Sequence, residues 1–292
     1  MGQYSIKELE KLSGIRAHTI RIWEKRHNII EPQRTSTNIR YYSDEDLKKI
    51  INVSILNTHG IKISKIAQMD LDEINQKVLG MSKENAEADV YIDQLIVAMV
   101  DLEEEKFENI LSTLSEKVGL AKTITDYIYP FMAKIGILWQ TGTITPAHEH
   151  FISNLIRQKI IASIAALPIP SGKSKKALLF LPEGELHEIG LLFSHYLTRL
   201  HGFKTLYLGQ SVPYSDLKKV NEIFRPVVMI TAMVSTPAAD HLESYIKTLA
   251  RDFPSVTIFA SGHQLRNTAF QIPKNVKPYY LATELSALLD KL

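Results

Sequence analysis

The stretch "ALLFLPEGELHEIGLLFSHYL", residues 177–197, places a short apolar run directly before a polar loop and a second apolar run. The first run has the length of a buried strand, and the second repeats its apolar residues at helical spacing. The loop between them holds Glu185, His187 and Gly190 in the order E-x-H-x-x-G. A strand that passes into a helix in this way is typical of a parallel α/β sheet.

The same alternation continues towards the C-terminus. After the linker "IPSGKSKK", the β-rich runs "KALLFLP", "FKTLYLG", "PVVMITA" and "VTIFASG" alternate with helical segments. This order predicts a Rossmann-like or flavodoxin-like parallel sheet at residues 175–292, with helices on both faces. Ligands of such sheets bind at the carboxyl ends of the strands, where the strand order reverses. The loop with His187 follows the first strand and therefore lies where a ligand is expected.

The residue types in this loop suit a metal-bearing ligand. A neutral imidazole, here His187, binds transition metals, and a carboxylate two residues earlier, Glu185, can hold its other ring nitrogen. Gly190 lacks a side chain one turn along the next helix, which leaves room for a bulky group. Because a short E-x-H-x-x-G also occurs by chance, the loop alone leaves an ordinary surface histidine open.

Four helical segments precede the sheet and predict a four-helix bundle at residues 82–168. They are "DVYIDQLIVAMV", "KFENILSTLSEKV", "LAKTITDYIYPFMAKIGILW" and "PAHEHFISNLIRQKIIASIAAL". Trp139 stands ten residues before the pair Glu149-His150. His148 and His150 lie about 200° apart around a helix, so a shared zinc ion is not expected there. The alternative is a core tryptophan and a helix capped by Thr145.

The N-terminal segment is basic and carries two short helical patterns. Residues 1–43 hold eight Lys and Arg against four acids, although the whole chain has a net charge of only +2. Local positive charge is what binding to phosphate backbones requires. Ser5 and Glu8 form a capping box, Gly14 ends the first helix, and Ile20 and Trp23 give the second helix an apolar side. The pattern predicts a helix-turn-helix followed by a hairpin wing.

These residues resemble the winged-helix DNA-binding module of the MerR transcription regulators. The resemblance covers about the first 75 residues, and we place this domain at residues 1–75. It implies binding to a double-stranded DNA operator. The matching positions are Tyr4-Ser5-Ile6, Glu8-Leu9, Ser13-Gly14-Ile15, Thr19-Ile20-Arg21, Trp23-Glu24, Pro32, Arg34, Arg40-Tyr41-Tyr42-Ser43 and Asp46-Leu47.

The resemblance assigns DNA-contacting residues in two groups, one for the major groove and one for phosphates and the wing. Paired half-sites one helical turn apart require a homo-oligomer, either a dimer or a tetramer. The chain is expected to break at Gly80 instead of continuing as a long dimerising helix. The residues are Arg16, His18 and Thr19 for the major groove, and Arg21, Arg34, Arg40 and Tyr41 for phosphates and the wing.

The loop at residues 185–190 resembles the D-x-H-x-x-G signature of cobalamin-binding domains, in which the histidine binds cobalt from below. By this resemblance His187 is the cobalt ligand, Glu185 and Gly190 complete the signature, and Ser235 and Gly262 belong to the family's later loops. Glu185 departs from the usual Asp. Ser261-Gly262 also departs from a glycine pair, so a serine side chain stands near the expected place of the cofactor's nucleotide tail.

The bundle with Trp139, Glu149 and His150 resembles the cap of the light-sensing cobalamin regulators of the CarH type. The resemblance then covers nearly the whole chain. It implies that these three residues shelter the upper ligand of cobalt, with adenosylcobalamin as the expected cofactor. Gln140 departs from the family, which has a histidine there in light-responsive members, and a glutamine cannot replace histidine as a strong cobalt ligand.

The resemblance implies a transcriptional repressor whose cofactor favours a DNA-binding oligomer. Light would dissociate this oligomer. Three alternatives stay open: a regulator that has lost the cofactor and senses another ligand or a protein, a corrinoid carrier for methyl transfer, and a regulator that senses cobalamin without light. The chain has no cysteine, which excludes thiolate metal sites and cysteine nucleophiles. Without a leader pattern or a long apolar run, a cytoplasmic protein that does not enter membranes is expected.

Overall fold

The computed structural model describes residues 4–35, 38–58, 60–84, 88–140, 144–238, 240–266 and 268–292, with the backbone alone for 79–84, 88 and 137–140. The chain divides into two compact units, Met1–Leu155 and Ile156–Leu292. The boundaries of the three expected domains stay predictions. In the described part of the chain, no helix is both long and apolar enough to cross a bilayer.

The chain begins with the helix-turn-helix that the sequence predicts. Helix α1 spans Ile6–Ser13 and helix α2 spans Ala17–His27. The Ser5 hydroxyl accepts a hydrogen bond from the Glu8 N–H, and the Ser5 N–H donates to the Glu8 carboxylate at 2.6 Å. Gly14 ends α1 in the left-handed conformation, which glycine adopts without steric cost. Both the capping box and the glycine stop are therefore confirmed.

A short antiparallel hairpin follows and forms the expected wing. Strands β1 (Gln33–Arg34) and β2 (Arg40–Tyr41) pair with Arg34 opposite Arg40. Helix α3 then spans Asp44–Thr58. The Ser43 hydroxyl caps it by accepting a hydrogen bond from the Asp46 N–H at 3.2 Å, as the sequence predicts.

Two further helices complete the N-terminal part, and one of them corrects a prediction. Helix α4 spans Ile63–Ile66 and helix α5 spans Leu71–Glu84. The expected break at Gly80 is wrong, because α5 continues through this residue. A glycine inside a helix costs only about 1 kcal/mol relative to alanine, which does not suffice to end it.

The four helices of the expected bundle are present. They are α6 (Ala88–Val100), α7 (Glu104–Val118), a third helix and α10 (Pro146–Ala165). The third consists of α8 (Leu120–Lys122), a π-helical turn (Thr123–Ile128) and α9 (Tyr129–Gln140). Apolar residues from several helices form the core, with the Phe107 and Phe131 ring centroids 5.6 Å apart.

The C-terminal unit contains a five-stranded parallel sheet in the order β4-β3-β5-β6-β7. Helices α11–α14 connect or flank the strands. The strands are β3 (Lys176–Pro182), β4 (Lys204–Val212), β5 (Val228–Ala232), β6 (Thr257–Ser261) and β7 (Val276–Pro278). The helices are α11 (Ile189–Leu200), α12 (Tyr214–Phe224), α13 (Leu242–Asp252) and α14 (Ala282–Leu289).

This strand order confirms the flavodoxin-like sheet and fixes where its order reverses. Strand β3 lies between β4 and β5. The connection that leaves β3 leads to one side of it, to β4, and the connection that leaves β4 leads to the other side, to β5. The carboxyl ends of β3 and β5 therefore border the crevice in which such folds bind ligands. Strand β5 is buried along its whole length, as an apolar run between two helix layers requires.

Candidate functional site

Two loops meet at the point where the strand order reverses. The first follows β3 and carries Glu185 and His187, and the second follows β5 and carries Ser235. The structure brings these three residues together: the Ser235 hydroxyl lies 3.2 Å from Oε1 of Glu185 and 3.4 Å from Nδ1 of His187. The sequence analysis groups these three residues by their resemblance to a cobalamin-binding domain, and their role in binding stays a prediction.

The Glu185 carboxylate organises the second loop from a fully buried position. Its Oε2 atom accepts three backbone hydrogen bonds, from Val234 at 2.9 Å, Ser235 at 2.7 Å and Thr236 at 2.9 Å. Three successive N–H groups that point at one oxygen form a concave anion site of the kind called a nest. The carboxylate is thus an internal anchor that ties the loop after β5 to the loop after β3.

The other carboxylate oxygen orients the imidazole. Oε1 of Glu185 lies 2.6 Å from Nδ1 of His187 and also accepts the backbone N–H of His187 at 3.1 Å. An ionised carboxylate accepts hydrogen bonds only, so Nδ1 carries a proton, and in the neutral imidazole the lone pair is then on Nε2. The His187 side chain is 60% exposed, and within the described residues its Nε2 atom has no hydrogen-bond partner. The imidazole is therefore held in the tautomer that binds a metal through Nε2.

The electrostatics keep this arrangement charged at neutral pH. Burial by itself raises the pKa of Glu185, but hydrogen bonds from the Thr236 and Ser235 N–H groups and from His187 outweigh it and lower the pKa to about 2. Hydrogen bonds to the ionised form stabilise that form. Glu185 is consequently an ionised acceptor for the Nδ1 proton over the whole physiological pH range.

The glycines near the site differ in what they do. Gly262 has φ +114°, and a Cβ atom at this position would lie 2.1 Å from the carbonyl oxygen of Met233. Gly262 thus lets β6 approach the loop after β5. At Gly190 a Cβ atom would meet nothing within 4 Å, which agrees with free space beside α11. The Ser261 hydroxyl donates to the Thr231 carbonyl at 3.4 Å.

Replacing Gly262 by alanine is expected to destabilise the protein by about 1–3 kcal/mol, because the added methyl group clashes with the Met233 backbone at a φ that only glycine favours. Urea unfolding measures this change. Gly190→Ala is the matched control, since its Cβ atom has free space, and we expect no loss of stability there. Equal stability of the two variants would show that the loop does not pack on Gly262.

Three residues that the sequence analysis missed brace the loop from the other side. Glu188, next to His187, is buried, and its carboxylate accepts hydrogen bonds from Nε of Arg157 at 2.7 Å and from the Tyr207 hydroxyl at 2.8 Å. No local pattern reveals this cluster, because Arg157 lies on α10 and Tyr207 on β4. Together they fix the residue that follows the imidazole.

The residues expected above the cofactor lie on the bundle helices. Glu149 and His150 stand in the first turns of α10, with His150 Nδ1 and Glu149 Oε2 2.9 Å apart. Thr145 precedes the first helical residue, Pro146, as predicted for a cap. The backbone of Trp139 belongs to α9, while its side chain and that of Gln140 lie outside the described residues. The role of Trp139, Glu149 and His150 as a cap stays a prediction.

The expected DNA-contacting residues of α2 lie at its solvent side. Arg16, His18 and Arg21 are exposed and Thr19 is half-buried, whereas Ile20 is fully buried. This separation leaves the charged side of α2 accessible while the apolar side packs on the module. The assignment of individual base or phosphate contacts stays a prediction.

The wing places two arginines side by side. Arg34 and Arg40 are exposed and face each other across the hairpin, while Tyr41 is half-buried. The Arg34 Nη1 atom donates to Oδ1 of Asn38 at 2.6 Å, which steadies the hairpin turn. Two adjacent cations on a protruding hairpin suit contact with a phosphate backbone.

A buried tyrosine couples the wing to helix α2. The Tyr42 hydroxyl donates to Oε1 of Glu24 at 2.5 Å, and Tyr4 pairs with Tyr42 through backbone hydrogen bonds of 2.9 Å. The wing and α2 are therefore held in one orientation. The sequence analysis included Glu24 and Tyr42 among the family positions, but it did not predict their contact.

Two family models match parts of the chain. Residues 4–72 match the family described as MerR HTH family regulatory protein, and residues 91–162 match the family described as B12 binding domain. The first match covers α1 to the start of α5 and includes the wing. The second covers the helical bundle that precedes the sheet.

Named relatives extend the similarity to most of the chain. The chain is 26% identical over 275 residues to the HTH-type transcriptional repressor CarH of Myxococcus xanthus, covering 90% of both chains. It is also 26% identical over 261 residues to the repressor CarA of the same organism, covering 88% of this chain and 85% of CarA. The Methanosarcina barkeri monomethylamine corrinoid protein has the same fold, with a TM-score of 0.54 at 16% identity over 69% of this chain and 98% of that protein.

Proposed function

Because the chain combines a MerR-type helix-turn-helix module with a B12-binding domain, we propose that it is a DNA-binding transcriptional repressor controlled by cobalamin, and not an enzyme. One observation carries the proposal: the Nε2 atom of His187 is free for a metal, while an ionised, buried Glu185 holds the opposite ring nitrogen. This is the arrangement that orients histidine ligands of metals.

Several residues near His187 support cobalamin as the ligand. His187 would hold cobalt through Nε2, Gly190 leaves space beside α11, and the loop with Ser235 lies beside His187. By the resemblance we assign Trp139, Glu149 and His150 the role of sheltering the upper ligand of cobalt, and Gly262 a role near the nucleotide tail. When bound, adenosylcobalamin supplies a cobalt–carbon bond that light breaks. These residues would orient the ligand and shield it from water.

The regulatory step is a change in oligomeric state. We propose that cobalamin favours a dimer or tetramer, which presents several helix-turn-helix modules to one operator. Joined modules bind through a high effective concentration, so affinity rises without any new base contact. The cofactor shifts this equilibrium only by its preference for the assembled form. CarH and CarA, which are named as repressors, support a repressor here.

Replacing Arg21 or Arg40 by alanine is expected to weaken DNA binding for all sequences and to lower the salt slope of log K by about 1 each, because each change removes one phosphate contact. Filter binding or fluorescence anisotropy at several salt concentrations measures both effects. Arg251→Ala is the control, since Arg251 is 73% exposed on the sheet unit and should leave DNA binding unchanged. A salt slope equal to wild type in both variants would contradict the assigned phosphate contacts.

The visible spectrum tests the proposed cofactor. Protein mixed with adenosylcobalamin in the dark should become red and stay red after desalting, and illumination should then change its spectrum and its shift of a promoter fragment. A colourless protein would favour a regulator that has lost cobalamin. This alternative is considered because residues 140, 185 and 261 depart from the family pattern. Coloured protein with identical dark and illuminated gel shifts would favour sensing of cobalamin abundance and would exclude light as the input.

A further inference from the structure

A cavity lies in the sheet unit, and neither His187 nor Ser235 borders it. It has a volume of about 480 Å³ and is bordered by the C-terminal half of α10, by α11 and by β4. This size falls within the range of small-molecule sites, which is about 300–1,000 Å³. Its apolar wall includes Ile161, Ile164 and Leu192. Ile161 is 40% exposed and the bordering Ile169 is 92% exposed, so apolar surface faces solvent here.

One end of the cavity carries an arginine that the protein leaves partly unsatisfied. The Nη2 atom of Arg199 donates to the Pro168 carbonyl at 3.0 Å. Its Nε atom is buried and has no hydrogen-bond partner within the described residues. Among the described residues, no carboxylate forms an ion pair with Arg199. The charge of Arg199 therefore has no counter-ion in the described part of the chain.

The remaining polar residues of the cavity do not neutralise Arg199. His195, one turn away on α11, stacks on Tyr207 with a centroid distance of 5.0 Å. Burial, and secondarily the charge of Arg199, lower the pKa of His195 to about 4, so its ring is neutral. Glu188 is already engaged by Arg157 at 2.7 Å. The cavity therefore has one uncompensated positive charge, that of Arg199, which lies at one end of the cavity.

The cavity is also elongated. Glu188, Leu192, His195 and Arg199 border it along one side of α11, and with a rise of about 1.5 Å per residue the first and last are about 16 Å apart along the helix. The paired Glu188 lies at one end and the unpaired Arg199 at the other. A ligand that fits has an apolar body along the helix and an anionic group at the end near Arg199.

We propose that this cavity binds an organic monocarboxylate with an elongated apolar body, such as a medium-chain fatty acid. The carboxylate forms an ion pair with the guanidinium of Arg199, and the apolar part of the ligand packs on Ile161, Ile164 and Leu192. Arginine and a carboxylate form strong, charge-assisted hydrogen bonds. The site uses neither the Nε2 atom of His187 nor the helix-turn-helix, so it goes beyond the control by cobalamin and does not depend on it.

The test is calorimetric titration of the full-length protein with decanoate and, separately, with decanol. Decanoate should bind at one site per chain, and decanol should bind at least about tenfold more weakly because it lacks the charge. Arg199→Gln should weaken decanoate binding at least about tenfold, while Arg251→Gln, on an exposed arginine of the same unit, should leave it unchanged.

A second variant guards against a structural effect of losing Arg199, since Arg199 also bonds the Pro168 carbonyl. Ala165 borders the cavity and is exposed, so Ala165→Trp fills the cavity without disturbing the core and should abolish decanoate binding. Circular dichroism checks that both variants fold. Equal affinity for decanoate and decanol, several weak sites per chain, or unchanged binding in Ala165→Trp would overturn the proposal.

Discussion

His187→Ala is expected to lower the affinity for cobalamin at least about a hundredfold and to abolish the spectral signature of a nitrogen ligand below cobalt. Loss of a residue that merely orients a metal ligand costs about 10–100-fold in affinity, and His187 is the ligand itself in our proposal. The side chain is 60% exposed, so its removal should leave the fold intact. Equilibrium dialysis measures the affinity, and the visible spectrum of the loaded protein reports the lower ligand.

The control for this variant is His241→Ala. His241 is 74% exposed and belongs to the same sheet unit, and it takes no part in the proposed site. Its replacement should leave both the affinity and the spectrum at wild-type values. If His187→Ala binds cobalamin with the wild-type spectrum, another group lies below cobalt and the proposed site is wrong.

Glu185→Gln is expected to reduce the free energy of unfolding by on the order of 3 kcal/mol at neutral pH and to weaken cobalamin binding about 10–100-fold. The pKa of Glu185 is about 2 in the folded protein against an ordinary value of 4.5, and one pH unit of pKa corresponds to about 1.4 kcal/mol. The amide also places an NH₂ group where the loop presents N–H donors. The Glu185→Gln variant binds cobalamin more weakly because the carboxylate no longer orients His187.

The pH dependence of this effect has a defined sign. Because the folded-state pKa of Glu185 lies below the unfolded value, its stabilisation is fully present above about pH 4.5 and is lost as the pH falls towards about 2. The difference in stability between wild type and Glu185→Gln should therefore shrink across this window. Urea unfolding of the cobalamin-free protein at pH 7, 5 and 3 measures it.

Glu183→Gln provides the matched control for Glu185→Gln. Glu183 lies two residues earlier in the same loop and is exposed. It should unfold like wild type at every pH. A Glu185→Gln variant as stable as this control would show that the backbone N–H groups of residues 234–236 find other acceptors, and the carboxylate would then not organise the loop.

Some parts of the fold were readable from local pattern. The capping box at Ser5 and Glu8, the wing between α2 and α3, and the four bundle helices each depend on residues within a few positions of one another. The first four strands of the sheet also follow from short apolar runs. Strand β7 was missed because its three residues, Val276–Pro278, include a lysine and a proline and give no alternating signal.

Helix α5 shows the limit of reading single residues. Gly80 suggested a break, but α5 continues to Glu84. Helix propensity is a weak prior that the remainder of a segment overrides. The π-helical turn at Thr123–Ile128 likewise has no local signature in the sequence, because such turns depend on how a helix packs.

The candidate site divides in the same way. The sequence by itself determined which functional groups are present. These are a histidine after a strand, with a carboxylate two residues before it, and a basic helix-turn-helix near the N-terminus. These depend on residue type and short spacing. The tertiary structure alone decided that Glu185 also binds the N–H groups of residues 234–236 and that Glu188 is held by Arg157 and Tyr207. Such contacts join segments far apart in the chain, and strand order, which no local periodicity encodes, brings those segments together.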